Sequence, residues 1–170
     1  SSNEGWGLSL TESLLTATPF IANVTGGMQD QMRFVDENNN WFTPSPLVPS
    51  NHKGTYKKHG EWVLPVFPTN LSLVGSIPTP YIYDERCSAE DASYKIRELY
   101  SMGSEERKRR GMEGYKWATG DEAGFTSEKM SNRIIEGMDE LFDTWKPREK
   151  FEFLTDSDYK PRKLNHSLLY

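Results

Sequence analysis

Two acidic residues near the start of the chain bracket a short glycine-containing turn. Glu4 is followed by Gly5-Trp6-Gly7, and Glu12 lies eight positions after Glu4. Glycine lets the backbone approach a ligand closely, and the free amide hydrogens of a following helix attract phosphate. Carboxylates accept hydrogen bonds from hydroxyl groups. A site that holds both a diphosphate and two sets of hydroxyls favours a nucleotide sugar as its ligand.

A purely structural interpretation of the same residues stays open. Ser9 is predicted to cap the helix after the turn, with Glu12 as the acid of a capping box. In that case Glu12 only satisfies the helix end, while Gly5 and Gly7 only form a tight turn. Thr18-Pro19 is predicted to end the helix, because proline lacks an amide hydrogen.

The next elements predict half of a doubly wound α/β domain. Residues 20–24 form a short, mostly apolar run that is typical of a buried parallel strand. Gly26-Gly27 is predicted to be the turn after the strand, and residues 28–34 form one or two helical turns. The order of loop, helix, strand, loop and helix therefore favours an α/β fold with parallel strands flanked by helices.

A proline-rich segment follows, from residue 44 to residue 83. Its seven prolines make regular helix improbable. The best strand candidates in and before it are residues 41–43, 62–64 and 81–83. Residues 52–59 are basic, and we interpret them as a solvated loop in preference to an anion or acceptor contact.

Three helices are predicted after the proline-rich segment. The first starts at a capping box at Ser88, the second is highly charged from Ser104 to Trp117, and the third runs from Thr126 or Ser127 to Pro147. Apolar residues at helical spacing predict one buried face on the first and third helices. These residues are Ala92, Ile96, Leu99 and Tyr100 on the first, and Met130, Ile134, Met138, Leu141, Phe142 and Trp145 on the third.

Composition excludes several classes of protein. The 170 residues suit one domain, and the net charge of -5 argues against nucleic acid as the main partner. The sequence has no apolar run of 18 residues, so it predicts no transmembrane segment. A lone cysteine, Cys87, provides no internal disulfide, and the isolated histidines predict no metal site. No Gly-Lys-Ser/Thr or G-x-G-x-x-G motif occurs, which disfavours a P-loop or dinucleotide site.

The first 25 residues or so resemble the C-terminal domain of GT-B glycosyltransferases, in particular the large retaining family 4. That family shows two acidic residues separated by seven others, in a frame like E-G-F-G-L-x-x-x-E-A-M-A-x-G-x-P-V-I-A. Thr18 departs from the frame, standing where glycine is usual, and residues 44–83 depart as a long proline-rich insertion. The positions that match the frame are Glu4, Gly5, Trp6, Gly7, Leu8, Glu12, Pro19, Ile21 and Ala22.

The resemblance implies a role for each residue of the frame. Glu4 would lie beside the transferred sugar as the catalytic residue, and Glu12 would hold the ribose hydroxyls of a UDP- or GDP-sugar donor. Gly5 would belong to the same binding loop, and the backbone amides of Trp6, Gly7 and Leu8 would meet the sugar and diphosphate. Such enzymes transfer a hexosyl group with retention of configuration and need no metal or other cofactor.

The resemblance also implies that the chain is a partial domain. We expect residues 1–145 to be a partial Rossmann-like donor-binding domain of a GT-B fold and residues 146–170 a polar tail. The family's basic pair and its N-terminal acceptor domain would lie upstream, so we expect the chain alone to be inactive. A cytoplasmic location is the default expectation, and the acceptor is open. The alternatives are a non-catalytic sugar-nucleotide-binding or assembly module, and a hydrolase or phosphorylase on the same scaffold.

Overall fold

The chain is a mixed α/β protein with a small parallel sheet and flanking helices. The computed structural model describes residues 4–45, 48, 50–78 and 80–147. The chain divides into two units, Ser1–Asn132 and Arg133–Tyr170. The predicted tail from residue 146 lies outside the described residues except for Lys146 and Pro147. The elements in chain order are α1 (Leu8–Leu15), β1 (Phe20–Asn23), a 3₁₀ helix (Gly26–Met32), β2 (Val63–Val66), β3 (Asn70–Val74), β4 (Ile82–Arg86), α2 (Ala89–Ser101), α3 (Gly103–Thr119) and α4 (Ser127–Thr144).

The parallel strand predicted after α1 is confirmed. β1 pairs in parallel with β2, with Phe20 opposite Val63 and Asn23 opposite Val66. Every residue of β2 is buried, which is typical of a parallel strand covered on both faces. Strand β2 therefore comes from within the proline-rich segment, close to the candidate at residues 62–64.

Pro65 defines an outer edge of this sheet. The carbonyls of Trp62 and Val66 accept from the amides of Phe20 and Val24, so the even-numbered residues of β2 point their backbone groups at β1. Pro65 therefore faces the opposite side, where it offers no amide hydrogen. A third strand would therefore form hydrogen bonds more readily with the free edge of β1 than with the edge of β2 that contains Pro65.

Helices cover the sheet at close range. α1 packs against α3, and α2 packs against β1 and β2. Two glycines of α3 make the approach possible. A Cβ atom on Gly111 would lie 1.9 Å from the Ala17 carbonyl oxygen, and one on Gly114 would lie 2.8 Å from Cβ of Trp62.

Aromatic rings fill the core next to this contact. Trp62 stacks on Trp117 with ring centroids 4.8 Å apart, and Trp117 meets Phe125 edge-on at 5.5 Å. Trp62 also donates from Nε1 to the Gln31 carbonyl oxygen at 2.9 Å. The buried indole thus keeps its one polar group satisfied, as buried tryptophans generally do.

The second sheet is an antiparallel hairpin that projects apolar side chains outward. β3 pairs with β4, with Asn70 opposite Arg86 and Val74 opposite Ile82. The candidate at residues 81–83 overlaps the start of β4, whereas β3 was not predicted. The candidate at residues 41–43 forms only an isolated bridge between Val35 and Trp41.

The helix predictions are confirmed in position but wrong in their buried faces. Ser88 caps α2 by accepting from the Asp91 amide at 3.0 Å, and the charge run of α3 forms local ion pairs such as Glu106 with Arg109 and Arg110. No described residue of α2 or α4 is buried. Ile96 is 61% exposed and Met138 is 50% exposed. Helical spacing shows which face favours burial, but it supplies no partner to cover that face.

Within the described part of the chain, no helix is both long and apolar enough to cross a bilayer.

We predict that Gly111→Ala destabilises the protein. A methyl group there meets the Ala17 backbone, and overpacking of this kind costs about 1–3 kcal/mol. Gly137→Ala in α4 is the matched control, because a Cβ atom at Gly137 meets nothing within 4 Å and alanine favours helix by up to about 1 kcal/mol. Urea unfolding followed by circular dichroism measures both. A Gly111→Ala variant as stable as the parent would contradict the close packing of α3.

We predict that the His59 side chain makes stability fall below pH 6.5. Burial lowers the pKa of His59, and the hydrogen bond to the Gly60 carbonyl offsets only part of this decrease. The unfolded chain then binds a proton that the folded chain resists, so the stabilisation is complete above pH 6.5 and is lost as pH falls towards the folded pKa, at no more than about 1.4 kcal/mol per pH unit. Chemical unfolding between pH 7.5 and 5.5 should show a smaller slope for His59→Gln. Equal slopes would contradict the assignment.

Candidate functional site

The acidic loop of residues 4–7 lies on the turn that follows β1. The Gly27 amide donates to the Glu4 carbonyl oxygen at 3.1 Å. A Cβ atom on Gly26 would lie 1.9 Å from the Glu4 carbonyl oxygen, and one on Gly27 would lie 1.9 Å from that of Gly5. Two backbones therefore meet directly at the carboxyl end of β1. In open α/β sheets, ligands bind at this end of the strands.

Gln31 anchors the loop through hydrogen bonds from the protein interior. Its side chain is fully buried, and Nε2 donates to the carbonyl oxygens of Trp6 at 2.6 Å and Gly7 at 3.2 Å. Its Oε1 accepts from the Thr11 hydroxyl at 2.8 Å. One amide side chain thus ties the 3₁₀ helix to both the loop and α1.

The Trp6 side chain packs against protein. Its Nε1 donates to the Thr11 hydroxyl at 2.9 Å, and its ring meets Phe125 edge-on at 5.4 Å. The Thr11 hydroxyl in turn donates a hydrogen bond to Gln31 Oε1. The indole therefore helps to fix the loop, although 37% of Trp6 stays exposed.

The start of α1 differs from the prediction. The helix begins at Leu8, its N-cap is Gly7 at φ 80°, and no side chain caps it. Ser9 is inside the helix, where its carbonyl accepts from the Ser13 hydroxyl, so the capping-box prediction for Ser9 and Glu12 was wrong. Because Gly7 adopts a left-handed conformation, which glycine allows, the N-cap lies two residues before Ser9. Ser9 therefore cannot act as the N-cap residue.

Free amide hydrogens line this helix start. The amides of Trp6, Gly7, Leu8 and Ser9 donate to no protein group among residues 4–45, 48, 50–78 and 80–147. The first four amides of any helix lack a partner within the helix, and here a side-chain cap does not take one of them. These groups form a cluster of donors suited to an anion.

The two glutamates have different surroundings. Glu4 is half-buried, and its Cγ lies 3.6 Å from the position of a Cβ atom on Gly7, beside the helix start. Glu12 is exposed, one helical turn beyond Leu8 and on the same face of α1. Two surface cavities of about 380 and 290 Å³ lie elsewhere, one beside Arg107 and Lys108 and the other beside Tyr94 and Lys95.

Two residues that matter to the loop were not predicted. Gln31 and Thr11 hold residues 4–7 in place, but glutamine and threonine carry no spacing signal that separates them from surface residues. The signal that was present is indirect. Gln31 lies within residues 28–34, which were predicted to form helical turns, and its neighbours Met28 and Met32 are buried.

The comparisons leave the family open. Searches of protein-family models, curated proteins and solved structures found no match to this chain. No group of three or more His, Cys, Asp or Glu residues that could hold a metal ion occurs in the described ranges. The site is therefore interpreted from its own geometry.

We predict that Gln31→Leu loosens the loop. The substitution removes the hydrogen bond to the Trp6 carbonyl and the acceptor of the Thr11 hydroxyl, while the Gly7 carbonyl keeps its bond from the Leu10 amide. Leaving such groups unsatisfied costs about 1–3 kcal/mol. Amide exchange at residues 5–10 should accelerate more than exchange in α3. Thr16→Val is the control, since the Thr16 hydroxyl bonds only to residues at the end of α1 and the turn after it. Unchanged exchange in Gln31→Leu would contradict the anchoring role.

Proposed function

We propose that this chain binds a nucleotide-diphosphate sugar as the donor-binding part of a retaining hexosyltransferase. The observation that carries the proposal is the cluster of free amides at Trp6–Ser9, with Glu4 beside it and Glu12 on the same helix. The resemblance of residues 4–22 to the GT-B family 4 frame supports the same ligand. The mixed α/β fold with its small parallel sheet is compatible with a partial Rossmann-like domain.

The geometry favours different ligand groups for the amides and for the carboxylates. Amide donors and the positive end of the α1 dipole favour the diphosphate. The carboxylate of Glu4 then accepts from sugar hydroxyls, and that of Glu12 accepts from ribose hydroxyls farther along α1. The donors are held by the backbone before ligand arrives, so they need no reorganisation as charge develops on the leaving diphosphate.

The loop contacts explain why such a site can be stable without a ligand. The acceptors of the loop face the interior, since the Glu4, Trp6 and Gly7 carbonyls all bond to residues 27 or 31. The amides of Trp6–Ser9 then remain on the outer side, next to the carboxylates of Glu4 and Glu12. The amide donors favour the diphosphate, and the carboxylates favour the hydroxyl groups of the sugar and the ribose.

We predict millimolar binding of UDP-glucose or GDP-mannose to the labelled chain. Amide signals of residues 6–9 should move in ¹⁵N correlation spectra, and Glu12→Ala should weaken binding of the nucleotide about ten-fold, as expected for loss of hydrogen bonds to a charged acceptor. Glu105→Ala is the matched control, because Glu105 is exposed on another helix and, among the described residues, pairs with Lys108 and Ser104 alone.

In a longer version of the protein that also carries an acceptor domain, Glu4→Gln separates the enzyme from the alternative of a binding module. Its amide keeps the shape and one acceptor, so nucleotide binding should persist while any transfer of the sugar is lost. Transfer at the parental rate would leave a binding role for Glu4 but remove its catalytic role. If neither donor moves the amides of residues 6–9, the proposed function is wrong.

A further inference from the structure

A second polar cluster lies at the same edge of the sheet as the acidic loop. Asn23, the last residue of β1, donates from Nδ2 to the Glu85 carbonyl oxygen at 3.1 Å, and its Oδ1 accepts from the Cys87 thiol at 2.8 Å. Burial raises the pKa of the Cys87 thiol, which keeps it a donor here. These bonds fix the end of β4 against the carboxyl end of β1.

His52 faces Glu85 within this cluster. The distance between His52 Nδ1 and Glu85 Oε1 is 3.3 Å, and the side chains are 24% and 13% exposed. The Nδ1 atom is itself buried and forms no hydrogen bond of good geometry, so Glu85 contacts it by proximity alone. Since Nδ1 is buried, the exposed quarter of the side chain belongs to its other atoms.

Hydrogen bonds connect His52 to the acidic loop. The His52 amide donates to the Ser50 hydroxyl at 3.2 Å, and Ser50 in turn contacts the Gln29 side chain at 3.4 Å. Gln29 donates to the Gly26 carbonyl oxygen at 3.0 Å, and Gly26 touches the Glu4 backbone. Asn51 is fully buried in the same network and accepts and donates at Tyr56. The position of His52 is therefore fixed relative to Glu4.

The chemistry of the pair fits a hydroxyl-bearing ligand. Glu85 Oε1 lies 3.3 Å from Nδ1, so Nε2 is the ring nitrogen left for a ligand, and a sugar hydroxyl can pair with it because a hydroxyl both donates and accepts hydrogen bonds. An imidazole held in this way is a good partner for a sugar hydroxyl. Lys53 is exposed, as the loop interpretation of residues 52–59 predicts, whereas the Lys57 ammonium lies 5.4 Å from the centroid of the Phe67 ring.

We propose that His52, oriented by Glu85, is a further substrate-contacting residue that forms a hydrogen bond with a hydroxyl of the donor sugar. The inference rests on the proposed function and assigns His52 to the sugar, with Glu85 as its positioning residue. A pair with only a structural role would be insensitive to whether the bound nucleotide carries a sugar.

Imidazole ¹H–¹⁵N spectra of the unmodified chain test this directly. We expect UDP-glucose or GDP-mannose to shift the Nε2 signal of His52, while UDP or GDP alone leaves it unchanged. The His59 signal is the internal control, because its ring packs edge-on against Phe34. If the amides of residues 6–9 respond to the nucleotide sugar but His52 does not, this inference is wrong and the proposed function stands. If neither responds, both are wrong.

Variants provide a second readout. His52→Gln should weaken UDP-glucose binding several-fold relative to UDP, and Glu85→Gln should give a smaller loss with the Nε2 response of His52 reduced. His59→Gln should leave the ratio of the two affinities unchanged. A His52→Gln variant that binds both ligands as the parent does would overturn the assignment without any question of folding.

Discussion

Direct contact between two backbones is the constraint on which the candidate site depends. Glu4 and Gly5 lie against Gly26 and Gly27 so closely that a single methyl group on either glycine of the pair would overlap a carbonyl oxygen. This contact directs the carbonyl groups of the loop inward and leaves its amides outward. The electrostatic character of the surface therefore follows from a steric requirement, with no basic side chain needed to create it.

The buried polar side chains of the 3₁₀ helix convert this contact into a fixed geometry. Gln31 serves the loop and α1, while Gln29 serves Gly26 and the segment at Ser50 and Asn51. Both glutamines are buried and bonded, as buried polar groups must be to avoid a desolvation cost. The 3₁₀ helix thus links the acidic loop to the His52–Glu85 pair, and both are placed at the carboxyl edge of β1.

The aromatic core supports the same arrangement from the other side. The rings of Trp62 and Trp117 stack, and Trp117 meets Phe125 edge-on. The Trp6 ring contacts the same Phe125 edge-on. The glycines of α3 let α1 and Trp62 approach, so the helix that carries Glu12 is held by the packing that also holds the loop. The site and the core are therefore parts of one packed unit, within Ser1–Asn132.

The sequence by itself determined the elements whose signals are local. The apolar run at residues 20–24, the Ser88 cap and the charged face of α3 each follow from spacing and side-chain chemistry, and each has the predicted form. The glycine pair at Gly26-Gly27 and the two acids at Glu4 and Glu12 were likewise visible as candidates for ligand chemistry.

Tertiary structure decided the rest, because the deciding contacts join residues far apart in the chain. Gln31 reaches the loop 25 residues earlier, Glu85 meets Asn23 across 62 residues, and the partner of β1 comes from a proline-rich segment. The hydrophobic stripes on α2 and α4 predict which face of each helix favours burial, but they do not show which element, if any, packs against that face. The cap of α1 was likewise unpredictable, since the left-handed Gly7 that replaces Ser9 follows from the packing of the loop on Gly26-Gly27.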